Sequence, residues 1–347
     1  MSAVFAVQQA GLGNSIQDSG RAGFRHQGVP SGGWLDAPLA ACANALVANL
    51  LEAAVLELRA LGPQLVLREG HSRIALAGHV SAKLVRASGL RQELPAWCSI
   101  SLQAGDEVHI GAVTDGCAYL AVAGGWGGAL HMGSRATYAR VGLGGIGGRA
   151  LQHGDVLRTL PQSADTSSAL SAAPWLLQEG PIRVMLGPQA DHFTPEAIAA
   201  LSASDWQTTA AQDRMGVRLS GPRLAHRSAE AADIVSDGIA PGAIQVPGDG
   251  QPIVLLADCQ TMGGYPKIAT VISADLPRMA HLPAGARCRF AIVNAEQARA
   301  ALRDQVAAWA HWQRDIRPYA EPGWLDEQAL RDSNLITGVI DAQNPEP

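Results

Sequence analysis

Two kinds of hydrophobic pattern alternate along the chain. After Asp36, the residues Ala40, Ala43, Leu46, Val47, Leu50 and Leu51 recur at helical spacing to about Ala53, with Asp36 placed as a cap and Pro38 as the first helical position. From Ala54 to about Leu160 the pattern shortens to runs such as AVLELRAL, QLVLRE, RIALAG, AKLVRA, DEVHIGAV and CAYLAVAGG, divided by Gly, Pro or Asp. Strands this short and this evenly spaced predict a barrel or sandwich. Residues 161–174 (PQSADTSSALSAAP) are small, polar and proline-bounded, which predicts a linker. A second β-rich stretch follows in PIRVMLG, GVRLSGPRL, GAIQVP, QPIVLLA, IATVIS and CRFAIVN, interrupted by a short helix near 194–203. From Ala295 to about Trp312 the pattern is helical again, and beyond Pro318 it has no period. The expected organisation is mainly β. An N-terminal lobe spans 1–160, a linker 161–174, a C-terminal lobe 175–295, and a helical segment with a C-terminal extension 296–347.

Composition narrows the class of function. The chain has 347 residues, enough for two lobes, and 38 glycines with 20 prolines favour turns between short strands over long helices. Charged residues make up 16%, the net charge is −5 and no basic run occurs, so the footprint of a nucleic-acid binder is missing. The most apolar stretch, Leu39 to Leu58, is broken by Asn44, Asn49, Glu52 and Glu57, which argues against a membrane span. The opening MSAVFAVQQAGLG lacks a basic flank and a long apolar core, so no secretory signal is expected. Five cysteines are scattered without CxxC or Cys/His ligand spacing; they read as small buried hydrophobes in a reducing, cytoplasmic setting, and no metal site is expected. Lysine occurs only at Lys83 and Lys267. A drift toward arginine codons accounts for the bias, yet ammonium and guanidinium are not interchangeable, so a retained lysine raises a question of chemistry.

Nucleotide and metal signatures are sparse. There is no GxxxxGK[ST] and no HExxH. Gly142, Gly144 and Gly147 fit GxGxxG, but GRALQHGDVL follows and reads as turn and strand, not as the helix a pyrophosphate needs. A tight glycine corner is the better reading. Two other segments carry more. The first, QDSGRAGFRHQGVPSGGWLD, holds Gln17, Asp18, Arg21 and Asp36 among closely spaced glycines, as in a loop shaped around something or in a structural turn with an Asp–Arg pair. The second, DGQPIVLLADCQTMGGYPK, runs an apolar strand into Asp258, Gln260 and Thr261, then a flexible Gly263-Gly264, then Tyr265 and Lys267. Asp258 can take a proton, Gln260 and Thr261 can bind a carboxylate or amide, and Lys267 can neutralise an oxyanion; a solvated β-turn is the plain alternative. The Gly-Gly pair could bring Asp258 and Lys267 together in one pocket. Arg214 and Arg218, four apart on an expected strand, would project from one face.

In order along the chain, QDSGRAGFRHQGVPSGGWLD, YLAVAGGW, GSRATYARVGLGGIGGRALQHGD, RMGVRL and SDGIAPGAIQVPGDGQPIVLLADCQTMGGYPKIATVISADLPRMAHL resemble the biotin-dependent carboxyltransferase, allophanate-hydrolase-subunit-2-like family, which includes the C subunit of 5-oxoprolinase. The resemblance covers roughly residues 4–295, and SNLITGVIDA in the tail is similar to an extension of some members. It implies cyclophilin-like β-barrel lobes with a few short helices. It also implies partners resembling the B and A subunits of a 5-oxoprolinase, and the ATP-dependent opening of a small-molecule substrate, 5-oxoproline, to glutamate. ATP belongs to the complex. Carried onto this chain, the resemblance marks Asp18, Asp36, Asp258 and Lys267 as catalytic candidates, with Gln17, Arg21, Arg214, Arg218, Gln245, Gln260, Thr261 and Tyr265 as substrate-binding candidates. Met262 stands where a second threonine is common, and AGHV (77–80) and Trp126-Gly127-Gly128 depart from the usual pattern in the first lobe. Two other functions stay open: a urea-carboxylase-like carboxyltransferase component, and a non-catalytic regulatory protein that restrains a partner. Neither Lys83 nor Lys267 lies in a Met-Lys-Met context, so no biotin attached to this chain is expected.

Overall fold

The computed structural model describes residues 2–161 and 168–319. It is mainly β, with four helices and a nearly closed barrel sheet. Two antiparallel sheets come from the first half of the chain. One has six strands, in the order Val156–Arg158, Val4–Gln9, Gln64–Glu69, Glu107–Val113, Val80–Val85 and Arg91–Glu93. The other has five, in the order Ser15–Gln17, Val55–Leu58, Ala118–Val122, His71–Ala77 and Ser99–Gln103. Alternating side chains of both sheets, among them Phe5, Leu56, Leu67, Ile74, Leu84 and Leu120, meet in one core. Trp126 closes that core edge-on to Phe5, with ring centroids 5.2 Å apart. Each such fully buried side chain contributes about 2 kcal/mol of transfer free energy.

The second half supplies an eight-stranded sheet between Ile182 and Ile292. Its neighbours are antiparallel except Ile182–Leu186 with Phe290–Ile292. Its core of Val184, Leu201, Trp206, Ile244 and Val254 is continuous with the outer face of the five-stranded sheet through helix α1, Ala37–Leu46. The two halves therefore share one apolar cluster, and polar groups caught between them are buried.

Helix α1 begins as expected: the Asp36 carboxylate accepts from Leu39 N at 2.9 Å, with Pro38 in the first turn. It ends at Leu46, seven residues short of the expected Ala53. Val47 and Asn49 both donate to the Asn44 carbonyl, Ala48 turns left-handed at φ 56°, and the buried Asn44 amide donates to Leu51 O and Ala53 O. That side chain satisfies the returning backbone, so the apolar spacing of Leu50 and Leu51 does not continue the helix. The expected later helices are present as α2, Pro195–Ala203, and α4, Ala295–Arg314; a short α3, Leu276–Ala280, lies between them.

Part of the expected linker (162–167) and the SNLITGVIDA string lie outside the described residues. From 168 to 174 the chain is bonded at several points. Leu170–Ser171 pairs with Arg317–Pro318, Ala172 N donates to Trp97 O at 3.0 Å, and Trp312 Nε1 donates to Ala173 O at 2.7 Å. Trp97, Trp312, Trp309 and Trp175 follow one another in ring contact beside this segment.

The stretch Gly142–Gly148 is a tight corner. A single 3-10 turn, Ala139–Val141, precedes it and no long helix follows before the strand at Val156. Gly144 has φ +73°, and a Cβ there would sit 2.0 Å from Ala136 O and 2.5 Å from Arg21 Nη2; Gly147 has φ +61°, with nothing nearer than Arg149 Nε at 3.9 Å. Gly147→Ala is therefore expected to lose about 1–2 kcal/mol, the cost of a left-handed alanine, and Gly144→Ala more than twice that. Urea denaturation of the two variants measures the difference, and equal losses would mean the corner does not pack on Arg21.

Candidate functional site

The polar residues trapped between the halves converge on Arg214. Asp213 Oδ1 accepts from Met215 N and Gly216 N, at 2.7 and 3.2 Å, so the chain turns here and the strand Gly216–Ser220 starts only afterwards. Arg214 therefore does not share a strand face with Arg218, contrary to the spacing argument. It reaches into the interface, while Arg218 stays exposed and pairs with Asp249 at 3.2 Å. The Arg214 guanidinium grips Asp258 with two bonds, Nε to Oδ2 and Nη2 to Oδ1, both 2.9 Å. Its other contacts cross to the first half: Nη1 donates to Glu57 Oε1 and Nη2 to the Gly33 carbonyl. Glu57 Oε2 also accepts from Leu35 N at 3.0 Å and from the Tyr119 hydroxyl at 2.8 Å. Burial works against the charge on Arg214, but the Glu57 and Asp258 carboxylates outweigh it and hold the guanidinium protonated. Burial pushes the Asp258 carboxyl up from the usual range, and Arg214 only partly offsets the shift.

Beside this clamp lies the first motif. Asp18 is fixed by three donors, Gly20 N at 2.9 Å, the Ser134 hydroxyl and Arg135 N, so it braces the 134–136 backbone. Arg21 has no exposed surface. Its Nη2 donates to the Ala136 carbonyl, whereas Nε and Nη1 have no partner. A Cβ at Gly32 would lie 3.7 Å from Arg21 Nη1 and 3.5 Å from Asp258 Oδ1, so the unspent donors and the perturbed carboxyl flank the same glycine. Burial lowers the Arg21 pKa, opposed by Asp18 and then Asp258. Gln17 is also buried: its Nε2 donates to Ser15 Oγ and Thr137 O, at 2.9 and 3.2 Å, and its Oε1 has no partner. Leaving such groups unpaired costs about 1–3 kcal/mol each, which makes Arg21 and Gln17 the candidates of this motif with donors and an acceptor to spare.

Asp36 is buried on the other side of the clamp. Its N–H donates to the Tyr119 hydroxyl at 2.9 Å, and its Oδ2 lies 2.9 Å from His281 Nε2. His281 Nδ1 faces the Asp115 carbonyl at 2.8 Å, so both ring nitrogens serve as donors. Cys117 Sγ lies 3.6 Å from the same Nε2 that faces Asp36, so the imidazole does not bridge carboxylate and thiol as a base in a nucleophilic triad must. Burial raises the Cys117 thiol pKa. Against its own burial, the Cys117 sulfur and the Asp36 carboxylate push His281 up to about 11.

The second motif is divided. Lys267 is buried, with Nζ donating to Asp237 Oδ2 at 2.9 Å, and its backbone N–H donates to Gln189 Oε1 at 3.2 Å. Asp258 and Lys267 thus hold different partners. Gly263 is no free hinge: Met262–Gly263 pairs as a strand with Asp237–Gly238. Gln245 is buried with Nε2 unpaired, and its amide approaches Gly263. Gln260 and Thr261 act through their carbonyls, which accept from Arg25 Nη2 and Ile239 N, and the Tyr265 side chain is exposed. Sequence reasoning missed Glu57, Tyr119 and His281. Glu57 had a signal, a carboxylate inside the otherwise apolar strand VLEL; the other two had none. Among the described residues no group of His, Cys, Asp or Glu could hold a metal ion, and no helix is long and apolar enough to cross a membrane.

The sequence matches the family described as carboxyltransferase domain, subdomain A and B, over residues 27–292. It is 36% identical to the C subunit of 5-oxoprolinase from Escherichia coli over 86% of this chain and 94% of that protein. It is 31% identical to urea amidolyase of Lachancea kluyveri over 88% of this chain and 18% of that protein. The crystal structure of the Kluyveromyces lactis urea amidolyase superposes with a TM-score of 0.79 at 28% identity, covering 92% of this chain and 21% of that one.

The His281 environment, built by the Cys117 sulfur and Asp36, is expected to make stability depend on pH. A histidine held at about 11 when folded against 6.5 otherwise contributes stability that is complete below about pH 6.5 and is lost as pH rises through 11. Asp36→Asn keeps a capping oxygen for Leu39 N and removes the charge. It is expected to flatten the decline in unfolding free energy between about pH 7 and 10 and to bring the His281 ring titration, followed by NMR, down toward its ordinary range. An unchanged His281 titration in the variant would discard the pair.

Proposed function

The chain belongs to the carboxyltransferase domain family, subdomains A and B, and on that premise we propose that it is a component of an ATP-dependent 5-oxoprolinase complex that opens 5-oxoproline to glutamate. The observation that carries the reading is the match to the C subunit of 5-oxoprolinase along nearly the whole of both chains. The site supports it chemically. Opening a lactam develops negative charge on the carbonyl oxygen and requires a proton for the departing nitrogen. The unspent Nε and Nη1 of Arg21 are donors suited to the oxygen, and Asp258, its carboxyl pushed up by burial, is suited to moving the proton. Arg214 orients Asp258, and Gln17 Oε1 offers an acceptor to a substrate N–H.

ATP would supply the phosphoryl group that makes amide hydrolysis favourable. The glycine corner at 142–148 is a poor nucleotide cradle, since it feeds a short strand with no helix N-terminus for phosphates. We assign nucleotide handling to partners of the A and B types, and the chain alone is inactive in this reading. The free cysteines support a reducing, cytoplasmic setting.

A second reading, a carboxyltransferase component acting on urea with biotin carried elsewhere, draws on the urea amidolyase likeness. It would use the same donors on a carboxylate or ureido oxygen. Reconstitution separates the two. Mixed with its partners, the chain is expected to give ATP hydrolysis that depends on 5-oxoproline; decarboxylation of carboxybiotin dependent on urea, without that activity, would favour the second reading.

Arg21→Met tests the site within the complex. Replacing an under-partnered buried cation by an apolar side chain of similar length is expected to leave unfolding free energy within about 1 kcal/mol of the parent, or higher. Turnover of 5-oxoproline is expected to fall about a hundredfold or more. Full turnover in the variant would remove Arg21 from the chemistry.

A further inference from the structure

We propose that a cavity lined by Asp36, at the N-terminal cap of helix α1, binds a small organic cation. The cavity is about 440 Å³, within the range of roughly 300–1,000 Å³ typical of small-molecule sites. Asp36, Asp115, Glu179 and His281 supply its ionisable lining together with His79, and Trp97 and Trp175 stand among leucines in its wall.

The polar lining decides the class of ligand. His281 has no donor to spare, since Nδ1 is engaged by the Asp115 carbonyl and Nε2 by Asp36. Asp36 is equally occupied, with Oδ1 taking Leu39 N and Oδ2 facing His281. Two carboxylates keep acceptor capacity. Asp115 Oδ1 lies 3.8 Å from His281 Nδ1, beyond hydrogen-bond reach, and Glu179, which is exposed, has no protein partner among the described residues. An anion entering here would find the His281 donors spent and three carboxylates against one imidazolium. A cation would find two carboxylates and two indoles in the wall, the residue types that recognise ammonium and guanidinium groups.

The walls are held in place for this. Trp97 sits in the left-handed region at φ 67°, fixed by its N–H to Leu76 O at 2.7 Å and by edge contact with Trp312 at 6.4 Å. Trp175 lies edge-on to Trp309 at 6.1 Å. Both indoles are thus braced by the α4 tryptophans, so little side-chain freedom is left to lose on binding.

The site is separate from the Arg21–Asp258 chemistry, and its test needs neither partners nor turnover. Choline and its neutral isostere 3,3-dimethylbutan-1-ol are titrated into the isolated full-length chain, following tryptophan fluorescence and heat. Choline is expected to bind saturably, and the isostere at least about tenfold more weakly. Glu179→Gln and Asp115→Asn, both at accessible positions, are each expected to weaken choline about threefold to tenfold, and Trp175→Leu at least as much, with melting temperatures near the parent's. Equal binding of the two probes, no saturable choline signal, or undiminished affinity in the double carboxamide variant would overturn the proposal.

Discussion

One mostly buried guanidinium joins the two halves of this molecule. Arg214 contacts Glu57 and the Gly33 carbonyl from the first half of the chain and Asp258 from the second, all inside a shared apolar interface. A planar fork with fixed donors here reaches four acceptor oxygens in three groups, one more than the three N–H donors of a lysine could meet. The desolvation cost of such a cluster is large enough that it adds little net stability. What it contributes is geometry: it sets the register of the two halves and aims Asp258. Removing Arg214 would strand the Glu57 carboxylate, which has no exposed surface, without its counter-charge.

From that clamp the polar network divides. Toward α1 it passes from Glu57 through the Tyr119 hydroxyl to the Asp36 N–H and on to His281, with a partner at each step. Toward the glycine corner it stops short. Arg21 and Gln17 sit just as deep and keep donors and an acceptor unpaired. The same interior therefore contains a saturated branch and an unsaturated branch, and the proposed function draws on the second. Their difference is in hydrogen-bond completion, not in residue type or depth.

Lactam opening and carboxyl transfer ask similar things of such a site. Each develops charge on an oxygen next to a planar amide-like nitrogen, and each needs a donor in place before that charge appears. In the proposed reading one frame serves both, with phosphoryl activation or carried carboxybiotin supplied from other chains or domains. The urea amidolyase relatives, of which this chain spans about a fifth, and the 5-oxoprolinase relative, which it spans almost whole, fit that division.

Much of this was legible in the residues. Alternating apolar runs identified the strands, caps and periodicity found α2 and α4, and two motifs located Asp18, Arg21, Asp36 and Asp258 as residues of interest, because local pattern and loop chemistry are properties of short segments. The sequence by itself also determined the family, through motifs that span most of the chain. Pairing was decided elsewhere. That Lys267 meets Asp237 and not Asp258, that Arg218 turns outward while Arg214 turns in, and that His281 joins Asp36 across 245 positions all depend on which strands lie side by side after closure. Spacing along a chain specifies a face only within one regular element. Once a turn such as that at Asp213 resets the strand, or two halves fold together over a shared core, the partner of a charge is chosen by burial, and burial is a property of the tertiary structure alone.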